Sequence, residues 1–263
     1  MASGQAQTLH NKVAIVTGGA RGIGAAIAVE LARRGANVAI TYVSDASKST
    51  ADEVVAIITA LDNEARAIAV QADVGSSDSP KRVIEAVFKA FGQHIDILVN
   101  NAGVVSMTPL QGITAGDFQT VMDINLRGPL LMAQAVLPRL RRPGRIINIS
   151  SVAARQGYAS SSLYLASKAG LEGLTRALAS ELGPAGHTVN AVEPGVTETD
   201  MARDTRSTAT HGNYVETIVA GTPFENRIGR PEDVALVVAM LAEPQASWVT
   251  GQTISASGGF SML

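Results

Sequence analysis

Thr17–Gly24 reads TGGARGIG, between the apolar run Val13–Thr17 and a helix-patterned stretch from about Gly22 to Arg34. A glycine-rich turn that joins a strand to a helix gathers free N–H groups and the positive end of a helix dipole at one point, which suits a phosphate. Each glycine has a job in such a loop. Gly18 makes the tight turn, Gly22 lets the main chain approach a pyrophosphate, and Gly24 lets the helix lie close to the sheet. Arg21 and Ile23 stand between them.

The same alternation continues outward to the end of the chain. Val38–Tyr42, Ala67–Gln71, Ile95–Asn100, Arg145–Ser150 and Thr188–Val192 are short apolar runs with strand character, and Thr253–Ser255 is a weaker one. Helical spacing falls between them at about 49–61, 81–91, 118–140 and 162–182. Pro231, followed by Glu232 and Asp233, opens a further helix. Residues 197–230 have poor periodicity and read as an irregular segment. Strict alternation of strand and helix predicts a single α/β domain over residues 11–263, a doubly wound, Rossmann-like parallel sheet of about seven strands with helices on both faces. The first ten residues read as a flexible tail.

Composition sets the outer bounds. Of 263 residues, 46% are hydrophobic and 17% charged, which is enough apolar material for a core and too much for a disordered chain. A net charge of −2 gives no reason to expect nucleic acid. The run Arg139, Arg141, Arg142 and Arg145 reads as a solvated helix end and turn. The chain has no cysteine, and its four histidines have no metal-ligand spacing. No metal is expected. Neither a leader nor a transmembrane stretch is legible, so a cytoplasmic location without membrane contact is the expectation.

Tyr164 and Lys168 lie four apart in a helical pattern and share one face. Ser151 stands thirteen residues before Tyr164, just past a strand, and Asn125 falls in the long helix that follows NNAG, Asn100–Gly103. An oxygen on which negative charge develops during a reaction needs a proton at that moment. A tyrosine can give it, although a free phenol has a pKa of about 10, and a neighbouring ammonium stabilises the phenolate. A serine can donate a hydrogen bond to the same oxygen.

Taken in order, TGxxxGxG, NNAG, a serine before YxxxK, and Pro194–Gly195 after the sixth strand resemble the short-chain dehydrogenase/reductase family over nearly the whole chain. The resemblance implies an oxidoreductase that interconverts a ketone and a secondary alcohol. Asn125, Ser151, Tyr164 and Lys168 would be catalytic, with Tyr164 as proton donor or acceptor. Lys168 would also bond the nicotinamide ribose, and Asn125 would hold a water that links Lys168 to solvent. Asp73 and Val74 would border the adenine. Asn100, Ala102 and Gly103 would line the adenine ribose and inner cofactor path, while Pro194, Gly195 and Thr199 would flank the carboxamide. Thr197 replaces the aliphatic residue usual at its position, which weakens its own contact and not the reaction class.

The cofactor turns on the end of the second strand, where NAD enzymes commonly place a carboxylate on the adenosine ribose. In register with the family, that position is Tyr42, and Arg21 and Ser44 are placed to meet a 2′-phosphate. NADP(H) is therefore expected. Asp45 leaves NAD open if the strand runs further than it reads.

The 197–230 segment would form a substrate lid, with Met201, Tyr214, Ile218 and Phe224 on its inner face. Gln156, Tyr158 and Leu163 would add pocket wall. Within the family, fungal aromatic polyketide ketone reductases and bacterial 3-oxoacyl-thioester reductases are nearest, so the substrate is a small-molecule ketone, with a cyclic or aromatic polyketide-type ketone as one candidate. A homotetramer is the family's common assembly. An epimerase or dehydratase would usually show TGxxGxxG and a larger C-terminal domain. A non-catalytic dinucleotide sensor would not need a proton donor.

Overall fold

The computed structural model describes residues 7–206 and 212–262. Seven strands form one parallel sheet in the order β3-β2-β1-β4-β5-β6-β7. They are β1 (Val13–Val16), β2 (Asn37–Tyr42), β3 (Ala67–Gln71), β4 (Ile95–Asn100), β5 (Leu140–Ile149), β6 (Thr188–Pro194) and β7 (Thr253–Ala256). The chain order reverses between β1 and β4, and the crevice at the carboxyl ends there is where an open α/β sheet takes its ligand.

Parallel strands covered on both faces read as continuous apolar runs. All of β1 and β4 is buried. On one face α1 (Gly22–Arg33), α2 (Lys48–Thr59) and α9 (Pro231–Ala242) pack a core that includes Ile27, Leu31, Ile58 and Val238. On the other, α3 (Ser79–Phe91), α5 (Gly128–Val136) and α6 (Ser162–Leu182) contribute Val83, Val87, Met132 and Leu182.

Several elements depart from the sequence reading. The helix expected over 118–140 starts earlier, at α4 (Ala115–Met122), because Thr114 and Asp117 form a capping box. A π-helical turn at Asp123–Arg127 separates α4 from α5. Strand β5 begins at Leu140, ahead of the expected start at Arg145, so Arg141 and Arg142 belong to it as well. Arg145 is buried, which overturns its reading as part of a solvated turn. Arg141 holds the buried Asp96 with Nε at 2.7 Å and Nη2 at 2.8 Å, while Lys12 Nζ lies 3.3 Å from that carboxylate. Asp96 also accepts the Val13 N–H at 2.9 Å and so fastens β1, β4 and β5 together.

The segment read as irregular contains α7 (Asp200–Arg206) and α8 (Gly212–Gly221). At the other end, part of the expected tail is packed. Leu9 is buried and donates its N–H to Arg34 O at 2.8 Å. Among the described residues, no helix is long and apolar enough to cross a membrane.

Candidate active site

A cavity of about 800 Å³ runs along the carboxyl ends of the strands, from Arg21 and Tyr42 at one end to Ser151, Tyr164 and Lys168 at the other. The glycine loop forms its first wall. Gly18 and Gly22 have φ of +63° and +56°, a region closed to most side chains. A Cβ on Gly24 would stand 2.3 Å from Gly18 O and 2.4 Å from Asn101 Nδ2. The loop is fixed from both sides. Thr41 Oγ1 of β2 accepts the Gly18 N–H at 3.0 Å, and Asn101 Nδ2 donates to Thr17 O at 2.9 Å and Gly18 O at 3.1 Å. Thr17 Oγ1 in turn accepts the N–H groups of Asn101 and Ala102, both at 3.0 Å.

The catalytic end is carried by β5 and α6. Ser151 follows the strand and accepts the Ala153 N–H at 3.2 Å. Lys168 is buried and donates to Ile149 O at 2.7 Å, with its Nζ 5.9 Å from the centroid of the Tyr164 ring. Burial pushes the Lys168 ammonium down to about 8. Burial also raises the Tyr164 phenol above its ordinary value, and a hydrogen bond with Ser151 pulls the other way. The phenol is therefore protonated at neutral pH.

Asn125 does not line the cavity. Its Oδ1 accepts the Val104 N–H at 2.8 Å, and its Nδ2 donates to Val104 O at 2.9 Å and Ser167 Oγ at 3.0 Å. That side chain is fully engaged in fixing the loop after β4. Residue 129 is proline, so the usual α-helical donor to the Asn125 carbonyl is missing. Gly103 fits between these groups, since a Cβ there would meet Asn125 Oδ1 and Lys168 Nζ, each at 3.3 Å.

Most of the residues expected around a dinucleotide come together. Gly18, Arg21, Gly22, Ile23, Gly24 and Tyr42 line the cavity, as do Asp73, Val74, Ala102, Gly103, Pro194, Gly195, Thr197 and Thr199. Ser44 does not. It precedes a short 3-10 turn, Asp45–Ser47, and Ser47 faces the cavity instead. Asp45 is turned toward β3, where its Oδ1 accepts Gln71 Nε2 at 3.2 Å. Asn100 is buried beneath the site and donates to Asn148 Oδ1 at 2.9 Å. Its neighbour Asn101 does the lining, as the second asparagine of NNAG could have signalled. Arg21 Nη1 lies 3.4 Å from Asp200 Oδ2, so the glycine loop already touches α7.

The expected pocket wall is only partly assembled. Tyr158 and Met201 line the cavity. Gln156 accepts the Tyr158 hydroxyl instead of facing the cavity. Leu163 turns into the protein while Tyr164 and Leu165, next on the helix, face the site. Ile218 is buried away from it. Phe224 lines a separate cavity of about 340 Å³, with Arg227 5.6 Å from its ring centroid. The Tyr214 side chain lies outside the described residues. Val104, Val105 and Met107, unread in the sequence, complete the wall. Their place at the carboxyl end of β4 was the available signal.

The residues present fit a dinucleotide: a main-chain cradle closed to any Cβ, a crevice long enough to run from loop to tyrosine, and a lysine at the far end. Comparison with known proteins agrees. A family model described as Enoyl-(Acyl carrier protein) reductase matches residues 18–261. The short-chain dehydrogenase/reductase FrzI of Cladobotryum sp is 46% identical, with 96% of each chain covered. The hydroxynaphthalene reductase arp2 of Aspergillus fumigatus is 42% identical, covering 94% of this chain and 91% of its own. The 3-oxoacyl-[acyl-carrier-protein] reductase of Synechocystis is also 42% identical, over 97% and 99%. Among solved structures, a blue fluorescent protein from a metagenomic library in complex with NADPH superposes with a TM-score of 0.88 at 41% identity, covering 97% of this chain and 100% of that one. A Burkholderia cenocepacia short chain dehydrogenase in complex with NADP gives 0.87 at 41% identity, over 96% and 99%. With its motifs in order, its sheet and crevice in place and relatives matched end to end, the chain belongs to the short-chain dehydrogenase/reductase family of oxidoreductases.

Proposed function

We propose that the protein is an NADP(H)-dependent carbonyl reductase that interconverts a ketone and a secondary alcohol. The observation that carries this reading is the convergence of Ser151, Tyr164 and Lys168 at the end of the cavity opposite the glycine loop. A bound nicotinamide would supply or take up the hydride. Tyr164, protonated at neutral pH, gives the proton to the developing alkoxide, and Ser151 donates to the same oxygen. Lys168 reaches the ribose and supports the phenolate left behind. Asn125 acts through its carbonyl, since its side chain is committed to Val104 and Ser167. Residues 197–230 close over the substrate as a lid.

NADP(H) is favoured over NAD(H) by Arg21 at the mouth of the cavity and by Asp45 turning away from it. The relatives solved with NADPH and NADP support the same choice. For the substrate, Val105, Met107, Val152, Tyr158, Leu165 and Met201 give apolar and aromatic walls, suited to a cyclic or aromatic polyketide-type ketone. The hydroxynaphthalene reductase relative points the same way. A 3-oxoacyl thioester is the second reading, favoured by the equally similar Synechocystis reductase. An NAD-dependent alcohol dehydrogenase is the remaining enzymatic alternative, and a dinucleotide sensor the non-catalytic one.

Turnover of NADPH and NADH against aromatic ketones and a short 3-oxoacyl thioester decides among these. Faster NADPH oxidation with an aromatic ketone is expected. Preference for the thioester selects the second reading, preference for NADH the third, and cofactor binding without turnover on any substrate the sensor. The apolar side chains Phe118, Leu130 and Leu137 near α4 and α5, and Leu236, Met240 and Trp248 near α9, stand exposed, which supports a homotetramer. Light scattering on the purified protein measures that directly.

A further inference from the structure

Behind the catalytic end lie two carboxyl groups that hydride transfer does not use. Glu193 is 2% exposed and stands on β6, immediately before Pro194 and Gly195. Glu172 is 4% exposed and stands on α6, one turn beyond Lys168. One guanidinium serves both. Arg155, at the end of the 3-10 turn that follows Ser151, donates Nε to Glu172 Oε2 at 3.1 Å and lies 3.2 Å from Glu193 Oε1. That second approach is too poorly aligned to satisfy Glu193 Oε1, which has no hydrogen-bond partner among the described residues. Ser150, the residue before Ser151, donates to Glu172 Oε1 at 2.9 Å.

We infer that Arg155, Glu172 and Glu193 are positioning residues for this enzyme: a buried carboxyl pair, bridged by one guanidinium and sharing one proton, that sets where Ser151 stands relative to the Pro194–Gly195 wall. The inference rests on the proposed reductase reading for its kinetic consequence, but not for its structural one. The cluster joins the three elements that meet at the reaction centre, namely the end of β5, the face of α6 that carries Lys168, and the end of β6.

Two buried carboxylates facing one guanidinium leave a net negative charge in a medium that resists it. Binding one proton brings the cluster of two carboxylates and one guanidinium to zero net charge. Burial and the Glu172 carboxyl push Glu193 up to about 7, and Arg155 opposes them. The surroundings contribute little else. The residue after β5 is the neutral Ser150, and β7 brings Ser255 in register with Glu193. On α6 the cations one turn either side of Glu172 are Lys168, whose Nζ is bonded to Ile149 O, and Arg176, which is exposed to solvent. The carboxylate of Asp233, on α9, is held by Arg227 at 2.7 Å.

The expected sign follows from linkage. A carboxyl whose folded pKa is raised binds more protons folded than unfolded, so stability falls as pH rises from the ordinary glutamate range to about 7. Glu193→Gln keeps the shape of the protonated acid and cannot ionise. Its melting temperature should therefore gain on the wild type between pH 5 and 8, by roughly 5 °C. A constant gap across that range overturns the shared proton, and this arm does not depend on activity.

In the kinetic arm, Glu193→Gln should keep kcat within about twofold at pH 6.5 and flatten its decline between pH 7 and 8. Glu193→Ala and Arg155→Ala should lower kcat by about tenfold while leaving the KM for NADPH near its wild-type value. Wild-type kcat and pH profile in both alanine variants overturn the positioning role. So does a Glu193→Gln variant as slow as Glu193→Ala, because rescue by the neutral isostere is what a shared proton requires. If the wild type reduces no ketone or thioester at all, the reductase reading fails, while the melting arm still decides the cluster.

Discussion

At the glycine-loop end of the cleft a ligand meets main-chain groups and one solvent-facing cation, Arg21. At the other end it meets Ser151, Tyr164 and a buried lysine, each held by neighbours that are themselves buried or bonded. The first end owes its shape to side chains that are absent, the second to side chains that are fixed. This predicts different behaviour under mutation. Changes at the main-chain end should act on which cofactor binds and how tightly, while changes at the buried end should act on turnover and on the stability of the fold.

The largest effect should come from Tyr164→Phe. Removing the proton donor while keeping the ring should cost about a thousandfold in kcat and leave NADPH affinity, measured by fluorescence titration, close to wild type. Rates near normal on every accepted ketone would break the contrast at once.

Lys168→Met should lose about a hundredfold in kcat and yet make the protein more stable. The folded pKa of Lys168 is depressed to about 8, so the unfolded state binds more protons between that value and the ordinary lysine range. The penalty is therefore full at neutral pH and is relieved as pH rises through that window. It amounts to about 3 kcal/mol, of which the lost bond to Ile149 O returns about 1. A melting temperature about 4–8 °C above wild type at pH 7 is expected, with the gap closing toward pH 10. A destabilised variant would mean that the lysine is compensated better than its surroundings indicate.

Gly24→Ala tests the main-chain end. With the new methyl 2.3 Å from Gly18 O, the loop must shift. NADPH affinity should fall about tenfold to a hundredfold, in line with an overpacking strain of about 1–3 kcal/mol, while Ser151 and Tyr164 stay in place. Unchanged affinity would show that the helix, and not the loop, absorbs the methyl. The smallest change is Arg21→Ala. It should lower kcat/KM for NADPH by about tenfold and leave NADH nearly untouched, because only NADPH carries the 2′-phosphate. Equal losses with both cofactors would argue for a structural role through Asp200.

The same contrast explains what the sequence makes legible. Buried parallel strands announce themselves as runs such as VAIV and ILVN, and Tyr164 and Lys168 announce a shared helix face by their spacing. Gly18, Gly22 and Gly24 are readable because each position excludes a side chain. What stays hidden is orientation. Asn125 looks like a solvent-linked catalytic group, and only packing reveals that its amide clamps Val104. Asn100 and Asn101 are indistinguishable as letters, yet one is buried under the site and the other holds the loop. Ser44 and Ser47 exchange places because a short 3-10 turn follows β2. In the 197–230 segment, α7 and α8 are short enough that neither builds a clear periodic stripe, so Ile218 and Phe224 could not be assigned to a face. Arg145 misleads because a charge in a turn-like run is usually solvated, and here the strand starts before it.

Trp248 turns the surface of this protein into an optical probe. It is the sole tryptophan of the chain and is 98% exposed, so the indole emission reports a single site in water. Any copy of the chain, or any partner, that covers the ring replaces water with side chains and shifts that emission to shorter wavelength. A dilution series read at one wavelength would then give an association constant with no label attached, and quenching by iodide would report how much of the ring remains open. The fluorescence of the folded chain is thus a direct record of whether the face near α9 is bare or occupied.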